Sequence, residues 1–367
     1  MTQRNFWALF LAASLVLVTG AARAQDADIT ISVSPDVVDL SKGETATFSF
    51  QSPDDGQVQL RILGPDWREV ARVDQENIAR GSQVRIAWDG TDIEGAQVAD
   101  EAYFPILEFT DTRGGNILND PSLSFQHGSV LVLDVAYDAA AGGVRFKTEI
   151  PTRVTLYAGL DGGGPLLNTL LSAVPYPAGE HFLPWDGMDQ SGVVKMVDLA
   201  DFKIFASGQT LWAPGVIIRG ADQEPYPLYT RALSEMSPIK PIPDINEIGG
   251  RKEDLPQPED VSPEPVFALS LAEDAPRDAD GVPLVKGEVL LSVALDPKVR
   301  IPVLTRRFEI VLFANYAFQT EVEEGRSPAT VVWDATKAAP GDYILTVNVA
   351  TLPGQLSAAS LLVRLAE

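Results

Sequence analysis

The sequence predicts an all-β protein built from tandem β-sandwich domains. Its apolar segments are short and largely alternate with polar residues, as in residues 57–63 and 83–88, which is the pattern of a strand buried on one face. Clusters of Gly, Pro, Asp and Asn separate these segments, at intervals close to the roughly 8–12 residues typical of a sandwich. A Trp-Asp-Gly turn recurs with the same internal spacing, and long helical periodicity is missing.

The first 24 residues predict an export signal. Arg4 precedes an apolar run at residues 6–18, and Ala22, Arg23 and Ala24 then match the small-x-small pattern that signal peptidase cleaves. The run is shorter than the roughly 20 residues needed to cross a bilayer. We therefore expect a mature chain that begins at Gln25, has no transmembrane segment, and lies in the periplasm, on the cell surface or in the medium.

Composition excludes several classes of function. The chain has 28 basic and 51 acidic residues and a formal net charge of −23, and cleavage would remove two Arg and no acid. Such a charge disfavours nucleic acid and anionic membrane surfaces as partners. Because there is no cysteine, disulfides, thiolate catalysis and cysteine-ligated metals are also excluded.

The length of 367 residues allows two or three domains of ordinary size. Strand-like segments run through the chain except in a stretch where prolines mix with acids, a composition that favours an extended linker. The alternative for this stretch is a docking strip for a proline-recognising groove. The predicted organisation is a signal peptide at residues 1–24, sandwiches at 25–127 and 128–220, a Pro-rich acidic linker at 221–265, and a third, degenerate sandwich at 266–367.

The repeated turn is the most informative motif. An Asp-Gly pair suits a tight turn with positive φ, its carboxylates can accept backbone N–H bonds, and the Trp can close the end of the core. We therefore predict a fold-specifying turn. Its residues are Trp88, Asp89, Gly90, Asp92 and Gly95 in the first copy, Trp185, Asp186, Gly187, Asp189 and Gly192 in the second, and only Trp333 and Asp334 in the third.

The spacing of the turns predicts the type of sandwich. Trp88 and Trp185 are 97 positions apart, and a period near 100 residues is that of an immunoglobulin-like domain. The pattern Trp-Asp-Gly-x-Asp-x-x-Gly-x-x-Val, continued by Val98 and Tyr103 and with Phe202 at the aromatic position of the second copy, resembles the Ig-like domain of bacterial flagellar hook-capping proteins. This resemblance implies a sandwich used for assembly and not an active site. It concerns the domain type only, since hook caps are exported without a cleaved signal.

Catalytic chemistry is not evident in the sequence. His127 and His181 stand in no recognised catalytic or metal-binding motif. The pairs Asp89 with Asp92 and Asp186 with Asp189 recur in register, which favours a role in the fold. Weak calcium binding by these four carboxylates is the sharper alternative, and hydrolysis by dispersed carboxylates is a more distant one. We expect no enzyme activity and no cofactor.

Export, repetition and missing catalytic chemistry together predict a function. We expect a non-catalytic structural or protein-interaction module of the bacterial cell envelope or surface, with an envelope or surface protein as partner. The alternative is a carbohydrate-binding accessory module of a secreted or surface polysaccharide system. Its candidate sugar platforms are Trp67 and Trp212, which lie outside the repeated turn.

Overall fold

A computed structural model describes residues 29–66, 68–120, 130–131, 133–223, 226, 264–296, 308–351 and 355–366. These residues form 24 strands. The first eight strands are β1 (Ser32–Ser34), β2 (Val37–Asp39), β3 (Ala46–Gln51), β4 (Gly56–Leu63), β5 (Glu69–Ile78), β6 (Gln83–Trp88), β7 (Ala102–Asp111) and β8 (Asn116–Asn119). The next eight are β9 (Val130–Leu131), β10 (Val135–Asp138), β11 (Gly143–Thr148), β12 (Thr152–Leu160), β13 (Leu166–Tyr176), β14 (Gly179–Pro184), β15 (Phe202–Thr210) and β16 (Val216–Arg219). The last eight are β17 (Phe267–Leu271), β18 (Leu284–Val285), β19 (Glu288–Leu295), β20 (Phe308–Ala314), β21 (Ala317–Gly325), β22 (Ala329–Asp334), β23 (Gly341–Thr351) and β24 (Leu356–Leu365).

The strands form three two-sheet sandwiches of the immunoglobulin-like type, which confirms the predicted fold class. The first sandwich pairs sheet β1-β3-β6 with sheet β2-β16-β7-β4-β5, to which β8 adds beside β7. The second pairs β10-β11-β14 with β13-β12-β15-β9, and the third pairs β17-β19-β22 with β18-β24-β23-β20-β21. Alternation places the cores: in β6, Val84, Ile86 and Trp88 are buried while the residues between them are exposed.

One strand belongs to a different sandwich from the one that the sequence indicates. β16 lies within residues 128–220, predicted as the second sandwich, yet it pairs in parallel with β2 and antiparallel with β7 of the first. Ile218 of this strand is part of the first hydrophobic core. A strand with only three apolar residues, Val216, Ile217 and Ile218, fits either sheet by its pattern, so only the long-range pairing decides its place.

The third sandwich shows what β16 represents. There β24 is one continuous strand that pairs along β23, and β18 joins its end in parallel. In the first sandwich β8 pairs with one half of β7 and β16 with the other, and β2 joins β16 in parallel. The last strand of the first sandwich is therefore split, and the second sandwich is inserted between its two halves.

The insertion leaves the second sandwich without a last strand of its own in the part of the chain that the structure describes. Its final strand, β15, pairs with β12 along its whole length but with β9 only at Gly208 and Gln209. The chain then departs to complete the first sandwich. Among the described residues, no strand pairs with the other side of β15 at residues 202–207, which we call the open edge.

The ends of the predicted linker pack on the sandwiches. Ala221 N–H donates to Asp100 at 2.8 Å, and Tyr226 is buried in the first core, where its hydroxyl donates to Asp66 at 2.5 Å. At the other end, the Glu264 carboxylate accepts from Ser357 at 3.1 Å. Residues 227–263 lie outside the described part of the chain, as do residues 1–28, so the linker and the export signal remain predictions.

Candidate functional site

The first copy of the repeated turn is held by its own polar groups. The indole N–H of Trp88 donates to the Thr91 carbonyl at 2.8 Å. Asp89 Oδ1 accepts from the Thr91 N–H at 3.1 Å and from its hydroxyl at 2.6 Å. Trp88 is buried edge-on against Tyr103, with ring centroids 5.5 Å apart. The indole thus closes the core while the carboxylate shapes the turn.

The second carboxylate of the motif shapes the hairpin that follows. Asp92 is buried, and its Oδ1 accepts the N–H groups of Glu94 at 2.9 Å and Ala96 at 3.0 Å. Gly95 closes this hairpin with φ +84°, a conformation that is costly for a residue with a Cβ. Asp92 and Gly95 are therefore required by the backbone path.

The second copy repeats this geometry. Trp185 Nε1 donates to the Met188 carbonyl at 2.9 Å, and Asp186 accepts the Met188 N–H at 2.9 Å. Asp189 Oδ1 accepts the N–H groups of Val193 at 2.7 Å and Val194 at 2.8 Å. Gly187 and Gly192 have φ of +79° and +69°. Trp185, Asp186 and the two glycines thus match their counterparts in the first copy. Asp189 differs from Asp92 in that it accepts the N–H groups four and five positions ahead, where Asp92 accepts those two and four positions ahead.

The third copy retains more of the turn than its sequence indicates. Asp334 accepts the Thr336 N–H at 3.0 Å and hydroxyl at 2.6 Å, as Asp89 does with Thr91. Trp333 is buried and packs on Tyr343, with ring centroids 4.8 Å apart.

A second shared device follows the turn. The Tyr343 hydroxyl donates to the carbonyl of Ala339 at 2.9 Å, and Tyr103 makes the same bond to Ala99 at 2.8 Å. In both cases the acceptor lies four residues upstream of the tyrosine. Phe202, at the equivalent place in the second sandwich, has no hydroxyl for this bond.

Two more Asp-x-x-Gly hairpins have the hydrogen-bond pattern of the motif. Asp111 Oδ1 accepts the N–H groups of Arg113 at 2.7 Å and Gly115 at 2.9 Å. Asp278 Oδ1 accepts those of Asp280 and Val282, each at 2.9 Å. The spacing Asp-x-x-Gly at residues 111–114 and 278–281 is the sequence signal for these hairpins. The Trp-Asp-Gly motif does not predict them, because it does not precede either one.

The electrostatics of these turns favours the ionised carboxylate. The Thr91 hydroxyl is the main cause of a lowered pKa at Asp89, and the Thr336 hydroxyl has the same effect at Asp334. For Asp111 the largest effect is the N–H of Gly115. These groups serve as charged acceptors for the backbone and are poorly suited to deliver a proton at neutral pH.

Calcium binding by Asp89, Asp92, Asp186 and Asp189 remains a prediction. One oxygen of each carboxylate accepts hydrogen bonds within its own turn. Asp189 Oδ2 is buried and has no hydrogen-bond partner among the described residues. Within that same part of the chain, no group of three or more His, Asp or Glu side chains is arranged to hold a metal ion.

The remaining candidates lie apart from one another. His181 Nε2 lies 3.0 Å from the Thr148 hydroxyl and 2.9 Å from the Pro177 carbonyl, and its ring packs beside Phe146 and Tyr176. Trp212 is buried, with its ring centroid 4.3 Å from that of Phe104, so it offers no exposed ring face for a sugar. His127 and Trp67 lie outside the described residues.

Comparisons with known proteins assign the chain to no family. No family model and no curated protein matches the chain. It is similar to a solved structure of a 1.5-MDa bacterial ice-binding adhesin, with 9% identity, 92% of this chain and 96% of that chain covered, and a TM-score of 0.18. Fibronectin(III)-like modules of Clostridium thermocellum CbhA match at 9% identity, with 92% and 93% covered and a TM-score of 0.19. Trypsin-activated alpha-2-macroglobulin from Escherichia coli matches at 9% identity, with 92% of this chain but 23% of that chain covered, and a TM-score of 0.21.

TM-scores of this size carry no argument about domain arrangement or activity, so the domain type rests on the strand pairing itself. In the part of the chain that the structure describes, no helix has the length and apolarity of a membrane span. The geometry defines a class of protein: immunoglobulin-like sandwiches in which the carboxylates of the repeated motif shape the backbone.

Proposed function

We propose that this chain is an exported, non-catalytic structural and protein-interaction module of the bacterial cell envelope or surface, carried out of the cytoplasm by residues 1–24. The single observation that carries the proposal is the use of the motif carboxylates. Every one of Asp89, Asp92, Asp186 and Asp189 accepts hydrogen bonds inside its own turn. A repeated motif whose carboxylates accept backbone hydrogen bonds has a structural role. The similarity of this motif to that of hook-capping proteins supports the same domain type.

The joints between sandwiches support a structural role. Arg153 of the second sandwich and Glu101 of the first form a bidentate ion pair, and both side chains are 7% exposed. Between the second and third sandwiches, Asn348 accepts the Leu166 N–H at 2.9 Å and donates to the Leu166 carbonyl at 2.7 Å. Because domains of one chain otherwise tend to move relative to one another, such contacts between sandwiches support a role as a spacer or scaffold.

The proposal is tested in the native host with a chain tagged at its C-terminus. Cell fractionation and N-terminal sequencing locate the protein and its first residue. A photo-crosslinking residue is placed in turn at Ile93, Phe205 and Phe318, which are exposed positions on the first, second and third sandwiches. A chain without residues 1–24 is the matched control for export.

We expect a mature chain beginning at Gln25 in the envelope or surface fraction, and a crosslinked product of one reproducible mass from at least one position. The control should stay in the cytoplasm and give no such product. Recovery of the uncleaved chain in the cytoplasm, or no crosslinked product from any of the three positions, would contradict the proposal.

A further inference from the structure

The second sandwich has an incomplete core beside its open edge. Apolar residues of β10, of β15 and of the second Trp-Asp-Gly turn face this core beside the open edge, and we call this set of residues the slot. In the corresponding strands of the other sandwiches, Leu107 of β7 and Leu345 of β23 are fully buried. The slot residues, in contrast, are only partly buried although they face the core; they are Val135, Tyr137, Trp185, Phe202, Ile204 and Ala206.

Three aromatic rings line one end of the slot. Tyr137 meets Trp185 edge-on, with ring centroids 5.6 Å apart, and Phe202 at 6.4 Å. Trp185 and Phe202 are 5.9 Å apart. The tryptophans of the other two turns, Trp88 and Trp333, are buried. In the described part of the chain, the aromatic end of this core is therefore less covered than the same end of the other two cores.

The open edge presents backbone groups in a fixed direction. Leu211 N–H donates to the Pro151 carbonyl and Asp161 N–H to the Asp201 carbonyl, each at 2.9 Å. These bonds fix the phase of the antiparallel ladder, in which alternate residues of β15 bond to β12. The other alternate residues, Ile204 and Ala206, therefore direct their N–H and C=O groups away from β12, along the open edge.

The other sandwiches show what fills this place. In the third, β24 lies beside β23, and Ala359, Leu361 and Val363 stand opposite Val347, Leu345 and Tyr343. In the first, β8 and β16 fill the same place beside β7. The complement of such an edge is thus an antiparallel strand with apolar residues at alternate positions.

We propose that the open edge of β15 binds an extended segment of a partner protein, which adds as the missing last strand and places alternate apolar side chains in the slot. Main-chain hydrogen bonds to Ile204 and Ala206 would supply part of the affinity, and the slot would supply the sequence preference. The inference rests on the proposed function and names its interaction site.

The charges around the slot specify the partner further. Asp201 is exposed just before β15, next to Phe202, and Asp134 is exposed just before β10, next to Val135. The slot thus has a carboxylate near each end, in a chain with a net charge of −23. The partner segment is expected to carry Lys or Arg on both sides of its apolar positions.

A peptide tests this inference on the full mature chain. The probe is the ten-residue sequence of β24, Leu356–Leu365, with a lysine added at each end and a fluorescent label, and binding is measured by anisotropy. The matched control peptide is N-methylated at the residues that correspond to Ala359 and Leu361. It keeps every side chain and loses the two N–H groups that would face Ala206 and Ile204.

The matched protein variant is Ala206→Pro. It removes an N–H that points along the open edge and leaves the bonds to β12 in place, since Pro is tolerated at such an edge. Phe318→Ala, at an exposed ring of the third sandwich, controls for general loss of apolar surface. Circular dichroism and thermal melting confirm that both variants are folded.

We expect saturable binding of the probe and no binding of the methylated peptide. The affinity of Ala206→Pro for the probe should be lower by about tenfold or more, and the affinity of Phe318→Ala should be unchanged. Equal binding of both peptides, or no binding of the probe, would overturn the inference. Occupation of the open edge by residues 227–263 of the same chain would also overturn the inference. It would appear as probe binding only after these residues are deleted. Crosslinked products from Ile93 or Phe318 but not from Phe205 would refute this site and leave the proposed function standing.

Discussion

Arg153 donates from Nη1 and Nη2 to the two carboxylate oxygens of Glu101, at 2.8 and 2.7 Å, across the joint between the first and second sandwiches. Nη1 also donates to the Ala173 carbonyl at 3.0 Å, and Glu101 Oε1 accepts the Ala102 N–H at 2.6 Å. The pair is satisfied on both sides, which allows two charges to remain buried.

Replacing one member of this pair should destabilise the protein strongly. Arg153→Met leaves Glu101 buried without its cation, and we expect the free energy of unfolding to fall by about 3–5 kcal/mol. The double variant with Glu101→Leu should recover most of this loss because neither charge is then buried. Urea unfolding of both single variants and the double variant gives the coupling free energy, and additive single effects would show that the pair does not interact.

The two glycines of the first turn should differ in their tolerance of alanine. Both have positive φ, but a Cβ at Gly90 would lie 2.6 Å from Leu40 Cδ2, whereas a Cβ at Gly95 meets open space. Gly95→Ala should cost about 1 kcal/mol from backbone strain. Gly90→Ala should cost about 1–3 kcal/mol more, because the packed Leu40 must also move. Thermal melting compares the two variants, and an equal cost would show that Leu40 does not constrain the turn.

The features that could be predicted from the sequence are those that local chemistry determines. Alternation in segments such as β6 gave the all-β class, and the Asp-Gly pairs gave turns with positive φ. The sequence does not place β16, because its three apolar residues fit either sheet by pattern. The deciding contacts with β2 and β7 are distant in sequence. The burial of Tyr226 in the first core could not be predicted for the same reason, since its hydrogen-bond partner Asp66 lies 160 positions away.

The carboxyl of Asp66 should impose a pH dependence of unusual sign. Burial raises its pKa above the ordinary value of 3.8, so the folded state binds the proton more tightly than the unfolded state. The resulting stabilisation is complete below about pH 3.8 and is lost as pH rises through the raised pKa. The stability of Asp66→Asn relative to the parent should therefore increase as the pH is raised.

Asp89 provides the control with the opposite sign. Its lowered pKa gives a stabilisation that is present above the unfolded value of 3.8 and is lost as pH falls through the folded value. Asp89→Asn should thus lose stability relative to the parent as pH rises. Urea unfolding at about pH 3 and about pH 8 measures both differences. If the two variants changed in the same direction, the assigned causes of the shifts would be wrong.

Asn348 should couple the second and third sandwiches. Its side chain pairs with both backbone groups of Leu166, so Asn348→Ala leaves a donor and an acceptor of β13 unmatched at the joint. We expect a loss of about 1–3 kcal/mol and separate unfolding transitions for the second and third sandwiches. Differential scanning calorimetry detects the separation, with Gln319→Ala, at an exposed residue of β21, as control. A single transition in both variants would show that other contacts suffice.

The insertion of the second sandwich into the last strand of the first is tested most directly by hydrogen exchange in Ile218→Ala. Ile218 is 1% exposed in the first core, and its truncation should cost about 2–5 kcal/mol. If the split strand is correct, amide exchange should accelerate in β2 and β7, more than 100 positions upstream, and stay unchanged in β12 and β13. Faster exchange in β12 and β13 with β2 and β7 unaffected would contradict the account, because β16 would then belong to the sandwich that precedes it in sequence.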